Sequence, residues 1–192
     1  MALTDEYEIG RVKTIIGMAI GFTAMVRVFE KGSSERIEAM LQRFLKRLGG
    51  VRSAAQFDGL HDEFCREFIS MIRLSRAKGG RRRHASYGHG AKVLDVALKA
   101  CVDYCQLPNN RVSQRVRAFL HAGIDTPMLE YLKKKEHLEI AASSVREIDR
   151  EAYKLLQDAV ARQITSKYNN SILPIMWDDI MWRRQNRRNT KA

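Results

Sequence analysis

The sequence predicts an all-α protein. Apolar residues recur at intervals of three and four along most of the chain, the spacing that lines one face of an α-helix. No segment shows the strict apolar–polar alternation of a half-buried strand. Only three prolines and twelve glycines occur among 192 residues, too few for a β-rich fold with many tight turns. We expect one domain over residues 1–192, with an N-terminal helical half over about 1–78 and a second half over about 79–192.

The apolar stripes place the helices in order. Turn-forming residues follow several of them, as at Gly49 and Pro108. Ser144 and Glu147 have the spacing of a capping box, which predicts a helix that begins there. A last segment after residue 170 runs into a basic tail. The stripes lie over 37–48, 57–71, 94–105, 128–132 and 148–164, and a basic helix is expected over about 113–121.

The most apolar run, over 15–26, is too short to span a bilayer. Acidic residues precede it, whereas a signal peptide begins with basic ones. We expect a helix that is buried on most of its sides, and no association with a membrane.

The chain is strongly basic. It carries 34 Lys and Arg against 22 Asp and Glu, which gives a net charge of +12 and a pI near 9.9. Such a surface attracts polyanions, of which nucleic acid is the commonest. The composition therefore favours nucleic acid as the partner, although some basic proteins bind nothing.

The cysteines are Cys65, Cys101 and Cys105. A sparse and odd set predicts reduced thiols in a cytoplasmic protein. No Cys and His spacing resembles a zinc or iron–sulfur ligand set. We expect neither a metal nor a cofactor.

A polar, basic and glycine-punctuated stretch over 79–90 interrupts the helical pattern and predicts a loop between the two halves. It leads into Gly88-His89-Gly90-Ala91-Lys92, where a helix is expected to begin at about Gly90. This pattern of glycine, one residue, glycine, one residue and lysine resembles the motif of the helix-hairpin-helix DNA glycosylases. In those enzymes the glycines let the backbone approach a DNA phosphate, and the helix N-terminus offers free amides to it. The resemblance implies a bundle of two helical lobes around a DNA-binding cleft.

The resemblance implies a catalytic pair. The lysine at the motif's fifth position, here Lys92, is the nucleophile of the bifunctional members. Their second requirement is an aspartate in an apolar-Asp-Thr sequence that opens another helix, here Asp125 within Ile124-Asp125-Thr126. Asp125 lies 33 positions after Lys92, a gap closer to that of the archaeal 8-oxoguanine DNA glycosylases than to that of endonuclease III-like enzymes. Simpler roles remain open, namely an ion pair of Lys92 with Asp95 and a helix cap for Asp125.

The implied activity is excision of a modified base from duplex DNA, with an AP-lyase step if the lysine forms a Schiff base. The target base must first flip out of the stack. We expect a monomeric prokaryotic enzyme of DNA repair or antiviral defence, and the substrate base stays open. The other residues expected to contact DNA are the phosphate-binding set Arg81, Arg82, Arg83, His84, Gly88, His89 and Gly90, for whose basic part a solvated turn is the alternative. Trp177 and Trp182 are candidates for stacking on the flipped base, although core packing is the commoner role of such residues.

Two other functions remain open. Arg115 and His121 fit the arginine–spacer–histidine motif of HEPN-type ribonucleases, which are also helical and basic. A non-catalytic protein that docks on phosphates through its basic loop and tail is the second.

Overall fold

The computed structural model describes residues 3–23, 25–75 and 83–189, and it confirms the all-α class. Within these ranges the backbone forms isolated bridges but no strand. The helix α4 continues into one π-helical turn at Lys99–Tyr104. The α-helices are α1 Leu3–Phe22, α2 Ser33–Arg47, α3 Ala54–Met71, α4 Tyr87–Leu98, α5 Asn110–Val116, α6 Thr126–Glu136, α7 Arg150–Tyr168 and α8 Pro174–Asn189.

The central element is α4, because ten of its twelve residues are buried. It packs against α3, α1 and α7. Val93 and Leu94 are fully buried, as is Phe68 of the neighbouring helix α3. One continuous apolar core therefore contains residues of both predicted halves of the chain.

The run over 15–26 buries one face only. Ile16 and Ala19 are inaccessible to solvent, whereas Met18 and Phe22 of the same helix are exposed. The expectation of burial on most sides is therefore wrong, since α1 lies at the edge of the bundle and packs against α2 and α4. No helix in the described ranges is both long enough and apolar enough to cross a membrane.

Short polar side chains begin several helices by accepting a hydrogen bond from an unpaired backbone N–H. Asp125 does so for α6 and Asp149 for α7. The helix predicted to begin at Ser144 instead begins at Arg150, after a single 3-10 turn. The Ser144 side chain makes no capping hydrogen bond, and the Glu147 carboxylate accepts from the backbone N–H and the hydroxyl of Ser143, so no capping box forms there.

Candidate active site

Both predicted catalytic residues line the same pocket, although 33 positions separate them in the chain. The pocket has a volume of about 440 Å³ and is bordered by α1, α4, α8 and the start of α6. Lys92 and Asp125 share it with Phe22, Thr23, Val96, Lys99, Ala100, Tyr104, Gly123, Asp178, Asp179 and Trp182.

Lys92 projects from the second turn of α4 and is half-buried. Val96 and Lys99 follow it at helical spacing on the same face. Within the described ranges its amino group makes no hydrogen bond or ion pair. The alternative pairing with Asp95 is wrong, because Asp95 is buried and bonds His61 Nε2 at 2.9 Å. Lys92 therefore lines the pocket without an ion pair to any carboxylate of the described residues.

Asp125 is the N-cap of α6. Its Oδ1 atom accepts a hydrogen bond from the backbone N–H of Met128 at 2.9 Å, and Pro127 occupies the first turn, where no N–H is needed. The capping role is therefore confirmed. It does not exclude a chemical role, since one carboxylate oxygen caps the helix while the same side chain lines the pocket.

A charged cluster of Lys99, Asp178 and Asp179 lies in the same pocket. Lys99 Nζ lies 2.8 Å from Asp178 Oδ2 and 2.9 Å from Asp179 Oδ1. Burial alone would lower the pKa of Lys99, but the two carboxylates outweigh it and raise that pKa. Burial raises the pKa of Asp178 despite Lys99, and the Asp178 carboxylate also accepts the backbone N–H of Gly123.

Lys99 is not among the site residues that the sequence predicts. The only signal for Lys99 was its position seven residues after Lys92 on the same helical face. Nothing in the sequence showed that residues 79 and 80 positions further on would bind it.

Three exposed aromatic side chains surround the pocket. Phe22 is 68% exposed, Tyr104 56% and Trp182 55%. The Tyr104 hydroxyl donates to Asp179, which fixes that ring beside the charged cluster. Large exposed rings around one cavity suit a flat apolar ligand.

The base-stacking prediction for Trp177 is wrong. Trp177 is buried in the core, where its ring lies 6.5 Å from that of Tyr131. Five residues of α-helix turn a side chain by about 140°, so Trp177 and Trp182 cannot face the same way. Trp182 alone lines the pocket.

The glycine hairpin predicted at Gly88-His89-Gly90 is also wrong. Ser86 is the N-cap of α4, so these residues form its first turn, and all three are buried. The backbone N–H of Gly88 donates to the carbonyl oxygen of Ile148 at 3.0 Å. These residues pack against protein and do not form the predicted phosphate-binding hairpin.

His89 acts within the helix cap instead. Its Nδ1 atom accepts from the backbone N–H of Ser86, and the Ser86 hydroxyl accepts from the backbone N–H of His89. A capping box of this kind normally uses Glu or Gln in the histidine's position. Burial, together with the charges of Arg146 and Lys92, lowers the pKa of His89 to about 4.

This burial predicts a pH dependence of stability. Between pH 6.5 and 4 an unfolded chain protonates His89 and the native chain does not, so the free energy of unfolding falls as the pH falls. The loss is about 3 kcal/mol at most by pH 4. We expect His89→Gln, which keeps a capping acceptor, to flatten this part of the profile. Urea unfolding of both proteins at pH 7, 5.5 and 4.5 measures it, and equal pH dependences would contradict the assignment.

The rest of the predicted phosphate-binding loop is described in part. Arg81 and Arg82 lie outside the described residues. Arg83 and His84 are exposed. His84 is anchored through its Nδ1 atom to the carbonyl oxygen of Ile69 at 2.9 Å.

The contacts give no support to the ribonuclease motif. The Arg115 guanidinium donates to main-chain carbonyl groups at the end of α2, those of Leu48, Gly49 and Val51. His121 instead bonds Asp58 and Tyr153. The two side chains therefore have separate sets of partners.

Comparison of the chain with protein-family models, with curated proteins and with solved structures finds no match. The resemblance to the glycosylases therefore stays a prediction from the residues of the motif.

Proposed function

We propose that the protein is a DNA glycosylase whose active site is the pocket that contains Lys92 and Asp125. One observation carries the proposal. The two residues that the motif selected are distant in the chain, yet both line one cavity of about 440 Å³. A cavity of this size can hold a single nucleobase.

The two lysines of the pocket are suited to different tasks. Lys99 is held between two carboxylates that favour its charged form, so it is a poor nucleophile. Lys92 has no such partner in the described part of the chain. We therefore assign the nucleophilic amine to Lys92 and a positioning role to Lys99.

The reaction follows from these roles. The Lys92 nitrogen forms a bond to the sugar C1′, and the C1′–base bond breaks with its electron pair leaving on the base, which takes up a proton. Positive charge develops on the sugar, and the Asp125 carboxylate stabilises it. Asp125 then accepts the proton that the attacking amine gives up. Opening of the sugar ring gives a Schiff base, from which β-elimination can nick the strand.

The pocket also suits a flipped base. The exposed rings of Phe22, Tyr104 and Trp182 offer stacking surfaces, and stacking on an aromatic ring accepts any base. Asp178 and Asp179 provide hydrogen-bond acceptors beneath them. This arrangement favours a base that presents N–H donors.

Because the predicted hairpin residues are buried, the DNA phosphates must bind to another surface of the protein. A groove bordered by α6 and α8 begins beside the pocket, at Pro127, and is lined by Lys134, Lys135 and Arg184. We assign the DNA backbone to this groove, because cations along it can follow the phosphates on one side of the flipped nucleotide.

Borohydride trapping tests the proposal. The protein is incubated with duplexes that contain an abasic site, 8-oxoguanine or other modified bases, and reduction converts any Schiff base into a stable adduct. We expect an adduct with the native protein that is lost in Lys92→Gln. Lys13→Gln removes an exposed lysine on α1 outside the pocket and should keep the adduct.

The other outcomes decide against the proposal. If no duplex of the panel loses its base or forms an adduct, the protein is not a glycosylase of this kind. DNA binding without cleavage would identify the non-catalytic binder. RNA cleavage that disappears in His121→Ala would identify the ribonuclease.

A further inference from the structure

We propose that His61, Asp95 and His121 bind a divalent transition-metal ion, for which Zn²⁺ is the probe. The site is separate from the pocket of Lys92 and does not depend on the proposed function. One ligand atom from each of the three side chains lies within 4.8 Å of the others. Two imidazoles with a carboxylate are a common ligand set for catalytic zinc and for non-haem iron.

Three separate segments bring these ligands together. His61 projects from α3, Asp95 from α4, and His121 from the chain that leads into α6. His61 Nε2 lies 2.9 Å from Asp95 Oδ1, and the two imidazole ring centres are 4.8 Å apart. The hydroxyl of Tyr153 lies beside all three, at 2.7 Å from Asp95 Oδ2, 3.2 Å from His61 Nε2 and 3.1 Å from His121 Nδ1.

The hydrogen bonds of this cluster leave two possible roles for the imidazole of His121. The Tyr153 hydroxyl donates its one proton to Asp95 Oδ2, and His61 Nε2–H donates to Asp95 Oδ1. His121 then faces an oxygen on each side, that of Tyr153 at Nδ1 and that of Asp58 at Nε2. An imidazolium donates to both oxygens, whereas an imidazole that donates only to Asp58 directs its Nδ1 lone pair towards the cluster.

A bound cation uses the second of these roles. His121 Nδ1 and His61 Nε2 then direct lone pairs at the ion, while His121 Nε2–H donates to Asp58 at 3.0 Å. A carboxylate behind a metal-bound histidine is the usual outer partner of such a ligand. Tyr153 orients the Asp95 carboxylate through its other oxygen. The two carboxylates balance the charge of the divalent ion.

The site is sheltered but reachable. The side chains of His61 and Asp95 are 1% and 0% exposed, whereas that of His121 is 19% exposed and that of Asp58 59%. An ion can therefore enter past Asp58 and His121. Once bound, it ties α3 to α4, which carries Lys92, and to the segment that leads to Asp125.

Metal titration of the full chain tests the site. The protein is stripped with a chelator and titrated with Zn²⁺ by calorimetry, and Co²⁺ in its place reports the coordination geometry by its visible absorption. We expect one Zn²⁺ per chain, a rise in Tm on binding, and Co²⁺ bands of a four-coordinate site. Stabilisation follows because the ion binds only the folded arrangement of ligands.

Variants assign the ligands. His121→Asn should abolish binding, and its partial exposure makes a folded variant the expected outcome. Asp58→Asn, which removes only the outer partner, should weaken binding about 10- to 100-fold. His137→Asn is the matched control, because His137 is an exposed histidine with φ 50°, a conformation that asparagine tolerates.

Two results would overturn the proposal. The first is the absence of Zn²⁺ binding at micromolar protein, which would leave a doubly protonated His121 as the explanation of its two contacts. The second is unchanged Zn²⁺ affinity and Co²⁺ spectra in both His121→Asn and Asp58→Asn.

Discussion

Asp125→Asn is expected to lower the rate of base excision by a factor on the order of 10² to 10³, with little change in stability. The substitution removes the negative charge that would stabilise the developing sugar cation in the transition state. Asparagine is as good an N-cap as aspartate, so the hydrogen bond from Met128 is kept. Single-turnover excision on a modified duplex measures the rate, and urea unfolding measures the stability.

Asp149→Asn provides the matched control. Asp149 is also an aspartate N-cap and accepts from Ala152 at 2.8 Å, but it begins α7 and lies outside the pocket. Its replacement should leave excision unchanged. If Asp125→Asn keeps the native rate, or if both variants lose the same fraction of it, then Asp125 is only a helix cap and the catalytic assignment fails.

Gly88→Ala is expected to destabilise the protein by about 3 kcal/mol or more. A Cβ atom at this position would lie 2.2 Å from the carbonyl oxygen of Val145 and 2.8 Å from Cβ of Ile148. The nearest of these is a main-chain atom that cannot move without displacing the turn before α7, and overpacking of this kind costs about 1–3 kcal/mol even where side chains can adjust. At about 2–4 °C per kcal/mol for a chain of this length, Tm should fall by roughly 6–12 °C.

Gly59→Ala is the control for this substitution. Gly59 lies within α3, and a Cβ there meets nothing within 4 Å. Alanine should therefore stabilise the helix by about 0.5–1 kcal/mol. The hairpin interpretation of Gly88 makes the opposite prediction, namely weaker DNA binding at unchanged stability. That result would show that Gly88 contacts the DNA backbone rather than the 145–148 turn.

The motif residues show which parts of the candidate site could be predicted from the sequence. Lys92 and Asp125 could be selected because each belongs to a short motif in a recognisable order, and both line one pocket. Asp125 is the N-cap of α6, whereas Lys92 lies in the second turn of α4 rather than at its start. The glycines of the same motif were misjudged. A glycine that approaches DNA and a glycine that approaches the carbonyl oxygen of Val145 look the same in a sequence.

The sequence by itself determined the helical class and the basic charge, because helical periodicity and charge depend on neighbouring residues and on composition. It could not determine which helical faces meet. Only the tertiary structure decided that Asp178 binds Lys99, and that Asp95 turns towards His61 rather than Lys92. These contacts join residues dozens of positions apart, and the packing of the helices around α4 brings them together.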